Sequence, residues 1–139
     1  MSRKKKPLPL LEDVEISGVA AEGKAIARVS LDSSGENKLA LFVPYAAPGD
    51  IADIQIARRK HSFAEGHIVR LNKASDERVE PVCKHFGLCG GCRWQHLPYT
   101  AQLRYKQQQV VDALTRIGHV QLPEVTPISG SGKIYGYRN

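Results

Sequence analysis

The stretch KLALFVPYAAPGDIADIQIARRKHSFAEGHIVRLNK, residues 38–73, decides the fold class. It opens on a dense apolar strand, Lys38–Val43, and breaks at Pro48-Gly49-Asp50, which is turn chemistry. Asp50–Ile56 then carries Ile51, Ile54 and Ile56, and Gly66–Leu71 carries Ile68, Val69 and Leu71. Upstream, Glu12–Val19 places Val14 and Ile16 between polar neighbours, and Lys24–Leu31 carries Ile26, Val29 and Leu31. Ala21-Glu22-Gly23 and the polar run 32–37 separate these segments. Five short strands with closely spaced turns predict a small all-β barrel or sandwich over residues 12–73. A barrel is favoured, because about 60 residues build only a small core and closure removes exposed strand edges.

The period changes after Pro98. Tyr99, Leu103, Val110, Val111, Leu114 and Ile117 fall on one helical face, read as ordinary packing surface. Pro98 suits the first helical turn and Gly118 the C′ position. Gly130-Ser131-Gly132-Lys133 imitates the end of a phosphate-binding loop. Pro127 stands where that loop needs its first glycine, and Ile134 where it needs Ser or Thr. The segment is therefore read as a flexible loop.

Aromatic residues are only 6% of the 139, so the core is expected from Val, Ile, Leu and Ala. No run approaches the roughly 18–20 apolar residues of a membrane span. The basic N-terminus is broken by Pro7 and Pro9 and stopped by Glu12, which does not match a secretory signal. The expectation is a soluble, cytoplasmic chain with no membrane partner. The net charge of +6 is unevenly placed. Arg3, Lys4, Lys5 and Lys6 make residues 1–11 a basic, flexible tail, residues 7–82 carry a net −3, and residues 83–118 a net +4. Within the acidic middle, Arg58-Arg59-Lys60-His61 is a local basic cluster. Such clustering suits a polyanion such as nucleic acid.

The cysteines all lie in CKHFGLCGGCRWQHL, residues 83–97, as Cys83-x5-Cys89-x2-Cys92. An odd number in a chain of this kind argues for metal or reactive thiols and against a disulfide framework. Glycines around them let a tight loop aim its sulfurs at one centre. Iron–sulfur clusters commonly take four thiolates, and this sequence supplies three. A Cys3His zinc set of Cys83, Cys89, Cys92 and His96 competes, with His85 a further candidate. Spacing alone leaves iron–sulfur and zinc open. Residues 74–97 are thus a cysteine-rich metal-binding loop.

At these residues the sequence resembles the bacterial RNA 5-methyluridine methyltransferases, in particular the branch acting on 23S ribosomal RNA. The run from Cys83 to Leu97 resembles that family's C-x5-C-G-G-C-x-x-Q-H-L motif. The preceding region is similar to a TRAM domain, a small OB-like RNA-binding barrel. Gly23–Ala27, Phe42-Val43-Pro44 with Pro48-Gly49-Asp50, and Arg78-Val79-Glu80-Pro81 carry that likeness. The resemblance implies RNA binding and a [4Fe-4S] cluster held by Cys83, Cys89 and Cys92. It places Gln95 and His96 in the motif without making them ligands. It implies a fourth cluster cysteine beyond Asn139, and reads residues 98–139 as a helix and the cut-off start of an α+β central domain ending in Tyr137-Arg138-Asn139. In the family, a further domain binds S-adenosylmethionine (SAM) and supplies a nucleophilic cysteine. Neither is visible here, so this chain alone is expected to be a fragment without methyltransferase activity, and a C-terminal methyltransferase domain is an expected partner. Arg58, Arg59, Lys60 and Phe63 are the expected RNA contacts, helped by Lys4, Lys5 and Lys6, with Arg93, Trp94 and His96 weaker candidates. Core packing competes for Phe63 and Trp94. Two rivals are a non-enzymatic RNA-binding zinc module and an electron-transfer iron–sulfur protein. Metal loss is expected to disorder residues 83–97 without unfolding the barrel.

Overall fold

The structure is a computed structural model that describes residues 6–138. Lys4, Lys5 and Asn139 lie outside the described residues. The chain divides into two compact units, residues 1–96 and 97–139.

The first unit holds six strands: β1 (Leu10–Glu15), β2 (Gly18–Val19), β3 (Ala25–Ser30), β4 (Lys38–Val43), β5 (Ile51–Arg59) and β6 (Phe63–Lys73). They form one mixed sheet in the order β1-β5-β6-β4-β3-β2. All pairings are antiparallel except β4 with β6. The two ends of that order are halves of one stretch, residues 10–19. Its first half pairs with β5 and its second half with β3. The sheet therefore curls until its two ends are joined by the chain itself.

Period-2 alternation builds the interior. Ala25, Ala27 and Val29 of β3 and Ala52, Ile54 and Ile56 of β5 point inward and are buried. They cluster with Val14, Ile16, Leu41, Val43, Ala46 and Ala64. Each buried Ile or Leu contributes about 1.5–3 kcal/mol by leaving water. The many alanines let the curled strands approach closely. Tight curvature also needs irregularity: β5 and β6 slip register at three places, and β1 slips between Leu11 and Val14, where Asp13 takes φ 51°.

The structure extends and divides the expected strands. Glu12–Val19 is two strands, because Ile16 and Ser17 turn away from β5 to reach β3: Ile16 N–H still donates to Asp50, while Ser17 N–H donates to Ile26. Asp50–Ile56 extends to Arg59, and Gly66–Leu71 becomes Phe63–Lys73. Arg58 and Arg59 therefore lie on a strand, paired opposite Glu65 and Ala64. Lys38–Val43 forms as expected.

In the second unit, α1 (Tyr99–Asp112) continues through a π turn, Ala113–Ile117. Pro98 is extended and flanks the helix, not within its first turn, and its carbonyl accepts from Gln102 N–H at 3.1 Å. Gly118 keeps right-handed helical angles, and the left-handed residue is His119 at φ 53°. The segment after the helix folds back along it. Tyr99 Oη accepts from Ser131 N–H at 2.8 Å, and Gln107 Oε1 accepts from Ile128 N–H at 2.7 Å. The far end of the apolar stripe stays open, with Val110, Leu114 and Ile117 exposed.

Gly66 tests the tight curl. A Cβ there would sit 2.7 Å from the Gln55 carbonyl oxygen and 2.7 Å from the Ile54 side chain. Gly66→Ala is expected to lower stability by about 1–3 kcal/mol in urea unfolding. Gly132→Ala, with nothing within 4 Å, should stay within about 0.5 kcal/mol.

Candidate functional site

The cysteine loop is seated on the sheet through a chain of polar anchors that begins at Asp50. Asp50 is fully buried at the turn leading into β5. A buried carboxylate is tolerated only when its oxygens are hydrogen-bonded and its charge is paired. Arg78 Nε donates to Oδ1 at 2.8 Å and Nη2 to Oδ2 at 2.7 Å, a two-pronged pair. Ser75 N–H also donates to Oδ1, and Ala47 N–H to Oδ2, each at 2.8 Å. Burial pushes the Asp50 carboxyl up. The hydrogen bonds from Arg78, Ala47 and Ser75 and the guanidinium charge outweigh it and hold the group below its ordinary 3.8. Arg78 Nη2 further donates to the Tyr45 carbonyl at 2.9 Å, where Tyr45 takes φ 60°.

From Arg78 the chain runs to the cysteines, and each return contact closes a loop. Val79 N–H donates to the His96 carbonyl at 2.9 Å, and Cys83 N–H to Gln95 Oε1 at 3.0 Å. Trp94 Nε1–H donates to the Gly23 carbonyl at 3.0 Å. Gly23 has φ +74°, and a Cβ there would lie 3.0 Å from both Arg93 Cβ and Trp94 Nε1. His96 is 2% exposed, and its Nε2 is 3.0 Å from the Ala46 carbonyl oxygen. A carbonyl only accepts, so Nε2 carries the proton. Nδ1 is buried without a hydrogen-bond partner among the described residues. Burial pushes the His96 pKa down, the Ala46 bond opposes this, Arg78 adds to it and Asp50 opposes it; the net is below the ordinary 6.5. Phe86 stacks on His96 with centroids 5.6 Å apart and meets Tyr45 edge-on at 5.2 Å.

The thiols sit beyond this frame. Cys83, Cys89 and Cys92 are free and exposed. Gly87 and Gly90 take φ +87° and +76° with open space around them, and a Cβ on Gly91 would sit 3.4 Å from Cys89 Sγ. Among the described residues, no three His, Cys, Asp or Glu side chains converge closely enough to hold a metal ion. The donor set nonetheless fits a thiolate-ligated group in kind: three accessible sulfurs on one glycine-hinged loop, three-quarters of the set an iron–sulfur cluster commonly takes.

Two of the basic residues expected to meet RNA face carboxylates. Arg58 lies 3.9 Å from Glu65, and Arg59 Nη2 lies 3.1 Å from Asp32. Lys60 is exposed past the end of β5. Phe63 packs edge-on against Phe42 at 5.8 Å and is only partly exposed. Lys6 and Arg93 are exposed, while Trp94 is half-buried and bonded to Gly23. The sequence reading missed Asp50 as an anchor. Its only signal was an acidic residue ending a Pro-Gly turn, and the partner lies 28 residues on.

Comparison with known proteins places the chain. Residues 12–69 match the TRAM domain model. An uncharacterized RNA methyltransferase of Bacteroides thetaiotaomicron is 53% identical over 121 residues, 87% of this chain and 25% of that protein. One from Porphyromonas gingivalis is 46% identical over 91% of this chain and 26% of its own length. The chain carries a TRAM domain and is similar to the N-terminal portion of these RNA methyltransferases. A 23S rRNA (uracil(1939)-C(5))-methyltransferase of Legionella pneumophila is 36% identical over 92% of this chain and 27% of its own length. The chain thus spans about a quarter of the length of the curated relatives it matches. No helix among the described residues is long and apolar enough to cross a membrane.

Arg78→Ala strands the buried Asp50 charge and is expected to cost about 3 kcal/mol, the low end for breaking such a pair because Arg78 is partly exposed. Urea unfolding checks this. Both groups have depressed pKa values, so the unfolded chain takes up each proton more readily and acidification costs stability at both: Asp50 loses a favourable ionised state, and His96 resists protonation of a buried ring. The His96 contribution is whole above about pH 6.5 and fades as pH falls below it; that of Asp50 is whole above 3.8 and fades below that. Stability should therefore decline in two stages on acidification, and His96→Gln should remove the first.

Proposed function

We propose that this chain is the RNA-recognition and iron–sulfur-binding portion of a SAM-dependent methyltransferase that modifies uracil C5 in 23S ribosomal RNA. The observation that carries this reading is the seating of a three-thiol loop on a TRAM domain by residues of both sequence motifs. The named activity of the Legionella pneumophila relative supports the substrate class. On this reading the curled sheet works as an OB-like barrel. Cys83, Cys89 and Cys92 would supply three thiolates to a [4Fe-4S] cluster, with a fourth thiolate from outside this sequence. A cluster bound there would order the tip of the loop. Methyl transfer and SAM binding belong to a further domain, and the 139-residue chain alone transfers no methyl group.

RNA is bound by phosphate neutralisation from Arg58, Arg59, Lys60 and the tail Lys4, Lys5 and Lys6, with Phe63 and Arg93 as further contacts. The ion pairs to Glu65 and Asp32 reduce the share of Arg58 and Arg59. Lys60 and Arg93, exposed, carry proportionately more.

A zinc reading keeps one observation in its favour, the unpartnered lone pair on His96 Nδ1. Against it, the other ring nitrogen is committed to Ala46 and the ring is buried under Phe86. Anaerobic purification with metal analysis separates the two. Iron with sulfide and a brown absorption band is expected; stoichiometric zinc lost on His96→Ala supports the alternative.

Salt-dependent RNA binding tests the surface. Replacing Arg58, Arg59 and Lys60 together by Gln should weaken binding and flatten the plot of log K against log salt, by about 0.7–0.9 for each phosphate no longer neutralised. Unchanged affinity and slope would remove the hairpin from the RNA surface.

A further inference from the structure

We infer that the cysteine loop is preassembled on the sheet by contacts that use no sulfur, and that Gln95 is a positioning residue for Cys83. This rests on the reading that the three cysteines bind a metal group. The loop stands on two feet. The first is Arg78, clamped to Asp50 and to the Tyr45 carbonyl. The second is Trp94 and His96, hydrogen-bonded to the carbonyls of Gly23 and Ala46 on the sheet unit. The feet are tied to each other by Val79 N–H to His96 and by Cys83 N–H to Gln95. Phe86, wedged between Tyr45 and His96, pins the middle. No thiol takes part in any of these contacts.

Gln95 is the member aimed at a cysteine. It is 8% exposed, and its Oε1 fixes the Cys83 amide from 12 residues away. Fixing that amide fixes the Cys83 Cα and the origin of its Sγ. The tip is held by a local turn of its own, in which Leu88 N–H and Cys89 N–H donate to the His85 carbonyl at 3.0 and 2.9 Å. Leu88 is 86% exposed, and Gly87 and Gly90 occupy left-handed backbone with open space around them. The division is therefore between a fixed frame, Arg78–Cys83 with Trp94–His96, and a tip bearing Cys89 and Cys92 that closes on the metal. Metal removal releases the tip and leaves the frame in place. Because the ordering of the frame is complete beforehand, the metal orders only the tip.

Hydrogen exchange on the full metal-free chain, kept reduced and chelated, tests this. The amides of Val79 and Cys83 are expected to exchange at least tenfold slower than unprotected amides. Gln95→Leu should speed exchange at Cys83 at least tenfold while leaving Val79 and the strands unchanged. Gln95→Glu, which keeps an acceptor oxygen, should restore the protection. After reconstitution with ferrous iron and sulfide, Gln95→Leu should lose iron at least fivefold faster. Trp94 is the only tryptophan, so its emission reports the second foot directly and should not change on metal removal. If Gln95→Leu unfolds the sheet, Trp94→Phe takes its place, with faster exchange expected at residues 93–96. Free exchange from 79 to 96 with a protected sheet would overturn preassembly. Unchanged exchange at Cys83 in Gln95→Leu would overturn the role of Gln95. Failure to bind iron or zinc with Cys83 still protected sinks the metal reading alone and leaves the preassembled loop supported.

Discussion

The buried carboxylate of Asp50 is the constraint from which the rest follows. A charge with no exposed surface must find its compensation inside the fold, and here four hydrogen bonds meet it. Two are backbone amides, from the turn that precedes Asp50 and from Ser75 after the last strand. The others come from Arg78. One side chain thereby ties the entry to β5, the exit from β6 and the start of the cysteine segment. Asp50 also lends its backbone carbonyl to Ile16, at the joint where residues 10–19 pass from one edge of the sheet to the other. The curl of the sheet and the seat of the loop share a single anchor.

The dispersed motifs of the family acquire a common physical purpose in this light. Gly23 has no side chain because Trp94 and Arg93 pack where a Cβ would stand. Pro48-Gly49-Asp50 turns so that the carboxylate faces inward. Arg78 answers it, Gln95 holds Cys83, and His96 closes on Ala46. These residues are spread over more than seventy positions and meet along one seam. The cysteines stand at its outer end, exposed.

Charge was the less legible property. Arg58-Arg59-Lys60-His61 reads as an uncompensated basic cluster, and in the sequence it is one. The hairpin register places Glu65 opposite Arg58, and the loop before β4 brings Asp32 to Arg59. Local basic density in sequence therefore overstates the local field. Strand ends are hard to place for a related reason. The polar residues near the tip of the β5–β6 hairpin read as loop, although backbone pairing carries the strands to Arg59 and Phe63. Lys38–Val43 was legible at both ends, because a polar run and a proline bound an unbroken apolar segment.

The sequence alone determined what local chemistry determines: alternating apolar residues for the strands and a change of period for the helix. The motif around the three thiols also carried the family resemblance. Tertiary structure decided how these parts are joined. The pairing of residues 10–19 with both sheet edges, the Asp50–Arg78 clamp, the burial of His96 and the Gln95–Cys83 bond all link positions between 12 and 50 residues apart or across opposite ends of the sheet. No local pattern encodes such pairs. They form because a buried charge or polar group must be satisfied by whichever partner the curled sheet brings within about 3 Å.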